Sequence, residues 1–390
     1  MADSEPATFC TLPPELLLLI FHFAGDSSSL PGLALLNRAC TAPAQSLLFY
    51  APVLRTLKGL DGLLAVLEGG AAGRRRSISA LESDQDLSEG AGRLVRRIQI
   101  DCAEFGQKGW GQRIGRLLAL CRSVESLSIT GVDDLKSKFL LGHGCEFLSL
   151  SSTLSQRSSR PSTALRRLKL SSSSFRAHSL PNPPTLPPFL AGITHLRLTN
   201  LGLPFPSTHL FALVEGAPNL ESLTLSSLRD VHLTLFRQVL DLLTQCSNLV
   251  NLRLGTLLSE QMEALTLRLP YSDSPASALS RMPLLSLTLT IPHLTLPLLL
   301  CLPPSLQTLI IRSPSARQSK DTSATSFAMS IDQLEEEGTV LRMAETALGA
   351  EQAGKGLREV VWQGGRAEKV KTRLTEALAR AGRGDVRVVT

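Results

Sequence analysis

One phrase recurs along the chain: apolar, two variable residues, apolar, one variable residue, apolar. It reads Val95-Arg96-Arg97-Ile98-Gln99-Ile100, then Val124 to Ile129, Leu165 to Leu170 and Ile193 to Leu198. It continues at Leu220 to Leu225, Leu249 to Leu254, Leu284 to Leu289 and Leu306 to Ile311. Phe147 to Leu150 is a weaker copy, and Leu357 to Trp362 a late one. The closing apolar-variable-apolar triplet has the period of a strand with one covered face, which puts Leu223 and Leu225 inward and Thr224 outward. Successive copies are spaced by 29 residues from Ile100 to Ile129, 28 from Leu170 to Leu198, 27 from Leu198 to Leu225 and 29 from Leu225 to Leu254. Between phrases the period turns helical: Leu210, Leu213 and Val214 share a face, as do Leu235, Val239, Leu242 and Leu243. One such unit cannot bury its own apolar face, so neighbours must stack.

This pattern resembles the leucine-rich repeat. The resemblance implies an α/β fold: an irregular solenoid with parallel strands on its concave face and helices or turns on its convex face. The asparagine that usually follows the strand occurs once, as Asn200, with Ser or Thr elsewhere. Two intervals are long, 35 residues from Leu254 to Leu289 and 51 from Ile311 to Trp362. The second contains an Arg/Ser/Thr-rich stretch, Arg312 to Ser330, and an acidic helix expected from Ile331. The end reads as strand, helix (Arg366 to Ala381) and strand (Val386 to Val389), a cap on the solenoid.

The N-terminal segment follows a different pattern. Leu12-Pro13-Pro14-Glu15 leads into Leu16-Leu17-Leu18-Leu19-Ile20-Phe21, with His22 the only polar residue before Ala24. Pro13 suits the first helical turn and Glu15 its positive end. Leu16, Ile20 and Phe23 form one stripe, and Leu17, Phe21 and Ala24 another. A short helix with no wet face needs cover from two sides, and fifty residues supply only one. Leu12, Pro13, Glu15, Leu16, Ile20 and Phe21, then Leu33 and Leu36 with Asn37-Arg38, then the Ala44 to Tyr50 run containing Leu47, resemble the three-helix F-box. Asn37 stands where that family usually has a valine, and the third helix lacks the frequent tryptophan. The resemblance covers about a tenth of the chain. It implies that this module docks, through Leu12, Pro13, Glu15, Leu16, Ile20, Phe21, Leu36 and Leu47, on the Skp adaptor of a cullin–RING ubiquitin ligase of the SCF type. The repeats would then hold a protein substrate. A repeat scaffold with the N-terminal helices as a cap, and no ligase role, is the alternative.

The chain therefore divides into a helical module (8–57), a linker disordered in part (58–92), the solenoid (93–311), an insertion (312–330) and a helical segment with the cap (331–390). The linker is assigned on the polar stretch Gly69 to Gly92, in which Arg74 to Ser77 resembles a basophilic-kinase site. The core must be leucine-built, because aromatic residues are only 4% of 390. A net charge of +6 is mild for this length, and no RNA-recognition or helix-turn-helix pattern appears, so nucleic acid is not an expected partner. Seven cysteines, odd in number and without a C-x-x-C pair, fit reduced thiols in the cytoplasm or nucleus. No apolar run is long and unbroken enough for a membrane span.

No catalytic constellation is legible, and no cofactor or metal is expected. Gly109-Trp110-Gly111 follows a strand and opens a helix, but its glycine spacing is not that of a dinucleotide fingerprint. His143 and Cys145 are two potential ligands where zinc needs four, and Asp133-Asp134 has no partner motif. What does emerge is a column of cations at outward strand positions. Lys169, Arg197 and Arg253 hold the same slot in their phrases, with Arg166, Arg167, His195 and Arg312 nearby. Two readings stay open. The column attracts an acidic or phosphorylated substrate segment, or outward positions merely need to be polar and Arg serves as well as Thr.

Overall fold

The structure is a computed structural model and describes residues 12–24, 38–75, 91–102, 109–121, 123–132, 135–136, 165–171, 175–176, 191–200, 207–227, 231–255, 257–266, 277–290, 295–312, 338–339, 341–344, 346, 356–363 and 367–390. The chain forms two compact units. The first comprises residues 1–134 and 144–167, the second residues 135–143 and 168–390. Strands of the parallel sheet fall in both units.

In the first unit, α1 (Pro14–Ala24) packs on α2 (Arg38–Tyr50). The helix begins one residue later than expected. Pro14 takes the first helical position, and the Pro13 carbonyl accepts from the N–H groups of Leu16 and Leu17 at 3.0 and 3.1 Å. Where two helices were expected to end and begin, at Asn37-Arg38 and Ala44, α2 runs unbroken from Arg38 with Pro43 inside it. Residues 25–37, with Leu33 and Leu36, lie outside the described residues. Strand β1 (Val53–Leu54) follows, then α3 (Leu57–Arg75), which occupies much of the stretch assigned to a linker. The reason lies in Leu60, Leu64 and Leu67, at helical spacing and all buried, which the polar residues after Gly69 had overshadowed.

Strands β2 (Arg97–Asp101) and β3 (Ser126–Thr130) pair in parallel, with Ile98 opposite Leu127 and Ile100 opposite Ile129. β1 adds to β2 through Leu54 opposite Ile100. Between β2 and β3, α4 (Trp110–Leu120) buries Trp110, Ile114 and Leu117. Ion pairs from Arg113 to Asp61 and from Arg116 to Glu68, each 2.6 Å, join α4 to α3 at their exposed rims. Gly109 caps α4 at φ 101°, so the glycines there serve a turn between strand and helix. Gly131 (φ 74°) ends β3, where a side chain would strike the Cys102 carbonyl 2.4 Å away.

In the second unit, the short strands β4 (Leu135–Lys136) and β6 (Phe175–Arg176) form a separate parallel pair. The main strands are β5 (Arg167–Ser171, entering this unit at Leu168), β7 (His195–Thr199), β8 (Ser222–Ser226) and β9 (Asn251–Leu254). They continue with β10 (Ser286–Thr290), β11 (Thr308–Arg312), β12 (Glu359–Gln363) and β13 (Arg387–Val389), side by side in that order. From β7 to β13 the pairing is parallel throughout. Parallel neighbours require crossovers. These are supplied by α5 (Ser207–Glu215), α6 (Leu233–Gln245), α7 (Ser259–Thr266), α8 (Ala278–Arg281), α9 (Leu296–Leu300) and α10 (Ala367–Arg380). The cap expected at the end is thus two further strands of the same sheet.

Five successive strands, β8 to β12, begin alike. Two consecutive N–H groups donate to one carbonyl of the preceding repeat: Glu221 and Ser222 to Thr194, Val250 and Asn251 to Glu221, Leu285 and Ser286 to Val250, Gln307 and Thr308 to Leu285, Arg358 and Glu359 to Gln307. The register is therefore pinned at the starts of β8 to β12, and apolar positions fall into columns. One buried column runs Leu196, Leu223, Leu252, Leu287, Leu309, Val360, Val388; another runs Leu198, Leu225, Leu254, Leu289, Ile311, Trp362. Asn200 and Ser227 each follow a strand at positive φ, 50° and 56°, and the Asn200 N–H donates to the Ser226 carbonyl at 3.0 Å. The single asparagine of the repeat pattern thus turns the chain, with its side chain exposed.

Candidate functional site

Two surfaces carry the residues singled out in the sequence, one in each unit. In the first unit, Leu17 and Phe21 of α1 and Cys40 and Ala44 of α2 form a small core, with Leu12, Ile20, Leu47 and Leu48 packed partly against it. Phe21, expected to face a partner, is 2% exposed, so its ring builds the module and does not present a surface. The outward stripe is instead Leu16 (45% exposed), Leu19 (52%) and Phe23 (84%), spaced i, i+3, i+7. The His22 ring meets the Phe23 ring edge-on with centroids 5.6 Å apart. Pro13 and Glu15 are exposed beside this stripe, while Leu12, Ile20 and Leu47 are half-buried. Leu36 lies outside the described residues. Leu19 was not among the residues picked out from the sequence; its spacing from Leu16 and Phe23 was the available signal.

In the second unit the strands show one buried and one half-buried face in strict alternation, β10 excepted. The middle row of the half-buried face runs Arg197, Thr224, Arg253, Thr288, Ile310, Val361, Val389 in register. Lys169 holds the same slot on β5, beside β7, where Thr199 Oγ1 donates to Ser171 Oγ at 2.9 Å between the two strands. Lys169, Arg197 and Arg253 are all half-buried on this side. Arg166 and Arg167 are exposed, His195 is half-buried, and Arg312 ends β11 opposite Thr290. Glu125, a conceivable partner for such cations, pairs with Arg96 at 3.2 Å. The cations therefore occupy one end of the row and the aliphatic residues the other, a gradient not legible before the register was known.

Cys40, Cys102, Cys121 and Cys246 are buried, and burial pushes the Cys121 thiol up to about 12 and raises that of Cys246. A thiol held protonated is a poor nucleophile and metal ligand. Among the described residues no group of three or more His, Cys, Asp or Glu is placed to hold a metal ion; His143 and Cys145 lie outside them. No helix among the described residues is long and apolar enough to cross a membrane. Compared with known proteins, the sequence matches no family model and no curated protein.

Proposed function

We propose that this chain is a substrate receptor of an SCF-type ubiquitin ligase. In this reading the N-terminal helices, as a three-helix F-box, bind the Skp adaptor, and through it the cullin complex. The repeats bind a protein substrate in the cytoplasm or nucleus, and the chain contributes proximity without chemistry of its own. The observation that carries the reading is the exposed stripe Leu16, Leu19 and Phe23 on a helix whose opposite side is already packed on α2. Covering a large apolar side chain is worth about 1.5–3 kcal/mol, so three on one stripe favour a partner. Leu12, Ile20 and Leu47 pack partly on the core beneath this helix, and Pro13 and Glu15 are exposed at its N-terminal end.

The test is capture of purified Skp by the full-length chain. The wild type should retain Skp. Leu16→Asp combined with Phe23→Asp should abolish retention without changing the melting curve, since both side chains point away from the core. A wild-type chain that retrieves no Skp removes the ligase role and leaves a repeat scaffold.

A further inference from the structure

The middle row of the second unit has a repeat of its own. Taking every second strand, β7, β9, β11 and β13, the row reads Arg197, Arg253, Ile310, Val389, with Thr224, Thr288 and Val361 between them. Neighbouring strands lie about 4.8 Å apart, so these four side chains recur at about 9.6 Å. A polyproline II segment rises about 3.1 Å per residue with three residues per turn, so every third side chain points the same way at about 9.3 Å. The two repeats match over the whole row, whereas a β-strand, with a same-face repeat of about 6.6–6.8 Å, does not.

We propose that this face binds an extended, polyproline-II-like segment of a partner protein. Its every third residue is in turn acidic or phosphorylated, acidic or phosphorylated, aliphatic and aliphatic. The first two meet Arg197 and Arg253, and the last two meet Ile310 and Val389. The inference deepens the substrate-receptor reading, on which it rests, by stating the chemistry of the substrate.

Charge complementarity selects this occupant. Among the described strand residues of the unit, Lys169, Arg197, Arg253, Arg312 and Arg387 are cationic on this side, and Glu359 is the one carboxylate. At the aliphatic end Glu359 stands opposite Arg387, each two residues from the middle row, so this pair adds no net charge beside Val361 and Val389. Arg197 and Arg253 each also engage another group of the chain. A guanidinium has five N–H donors in a fixed fork, a geometry that matches the oxygens of a phosphate or carboxylate. The hydroxyl of half-buried Thr224, between the two arginines, can bond the segment's backbone. A single-stranded nucleic acid would ask for aromatic platforms, and His195 is the only ring on these strands' half-buried side among the described residues.

The experiment uses the full-length chain and fluorescein-labelled decapeptides read by fluorescence anisotropy. The first peptide carries phosphoserine at its first and fourth positions and leucine at its seventh and tenth, with alanine and proline between. It should bind, more weakly as salt rises. Replacing both phosphoserines with serine, or moving the leucines to the sixth and eighth positions, should each weaken binding about tenfold or more. On the protein side, Arg197→Gln with Arg253→Gln, and separately Ile310→Asp, should do the same. The peptide changes keep the test intact if a protein variant fails to fold. Absence of binding by the first peptide, equal binding of the shifted peptide, or displacement of the peptide by oligo-uridine RNA at equal concentration overturns the proposal. The same preparations are assayed for Skp capture. Skp retained with no peptide bound removes this inference alone, and peptide bound with no Skp retained removes the ligase reading alone.

Discussion

Leu225→Ala probes the principle on which the second unit stands. Leu225 is fully buried and faces Leu198 on β7 and Leu254 on β9 across the parallel ladder. Truncation removes three carbon groups, at about 0.8 kcal/mol each, or about 2.4 kcal/mol of lost transfer energy. Any cavity the neighbours cannot close adds to this. Closure is restricted, because both flanking strands are held by backbone hydrogen bonds at their starts. The expected loss is therefore about 3–4 kcal/mol, inside the range for buried leucines. The adjacent Thr224→Ala, on the half-buried face of the same strand, should stay within about 0.5 kcal/mol. Trp362 on β12 is the only tryptophan of this unit, Trp110 being in the other, so urea unfolding followed by fluorescence in a Trp110→Phe background reports on β12. In a stacked array each repeat supports the next, so damage at β8 should move the transition seen at β12. Equal costs for Leu225→Ala and Thr224→Ala would refute the assignment of faces. An unmoved Trp362 transition would refute the cooperativity.

Three further outcomes are expected. The Cys121 thiol keeps its proton to about pH 12 in the folded chain, against an ordinary 9.0, so above pH 9 the unfolded state binds fewer protons and stability falls as pH rises towards 12; urea midpoints between pH 8 and 10.5 should decline more steeply in the wild type than in Cys121→Ala, and parallel declines would contradict this. Gln261 is buried, accepts from the Leu258 N–H and donates to the Val231 carbonyl, both at 3.1 Å; Gln261→Leu strands both backbone groups and should cost about 1–3 kcal/mol in thermal melts, and a neutral result would show that they find other partners. Arg113→Met removes a partly exposed ion pair with Asp61 and should cost about 0.2–1 kcal/mol, less in high salt; a loss that salt does not reduce would assign the role to packing of the side-chain stem.

Much of the fold was legible because the repeat phrase encodes a local geometry. All the full-length phrases, from Val95 to Trp362, are observed as strands, and their closing apolar residues are buried. The weaker copy at Phe147 to Leu150 and the acidic segment from Ile331 to Glu337 lie outside the described residues. The helix α3 was missed for a local reason too: Leu60, Leu64 and Leu67 sit just ahead of a polar stretch whose composition dominated the reading. On α1 the two stripes were visible, but not which of them a neighbour would cover. Packing of Leu17 and Phe21 on α2 settled that, and it left Leu16, Leu19 and Phe23 outside.

The sequence by itself determined which residues alternate, which turn, and which are apolar enough to be inside, since these follow from side-chain period and backbone preference within a few residues. Only the tertiary structure decided what stands beside what. Strand pairing joins residues far apart in the chain, such as Ile311 and Trp362, and its register depends on hydrogen bonds that no local pattern contains. That register brings Arg197 and Arg253 into one row with Ile310 and Val389. Each was visible in the sequence as a residue between two inward neighbours or at a strand end. Their common line, and the spacing along it, exists only because the strands stack in parallel about 4.8 Å apart.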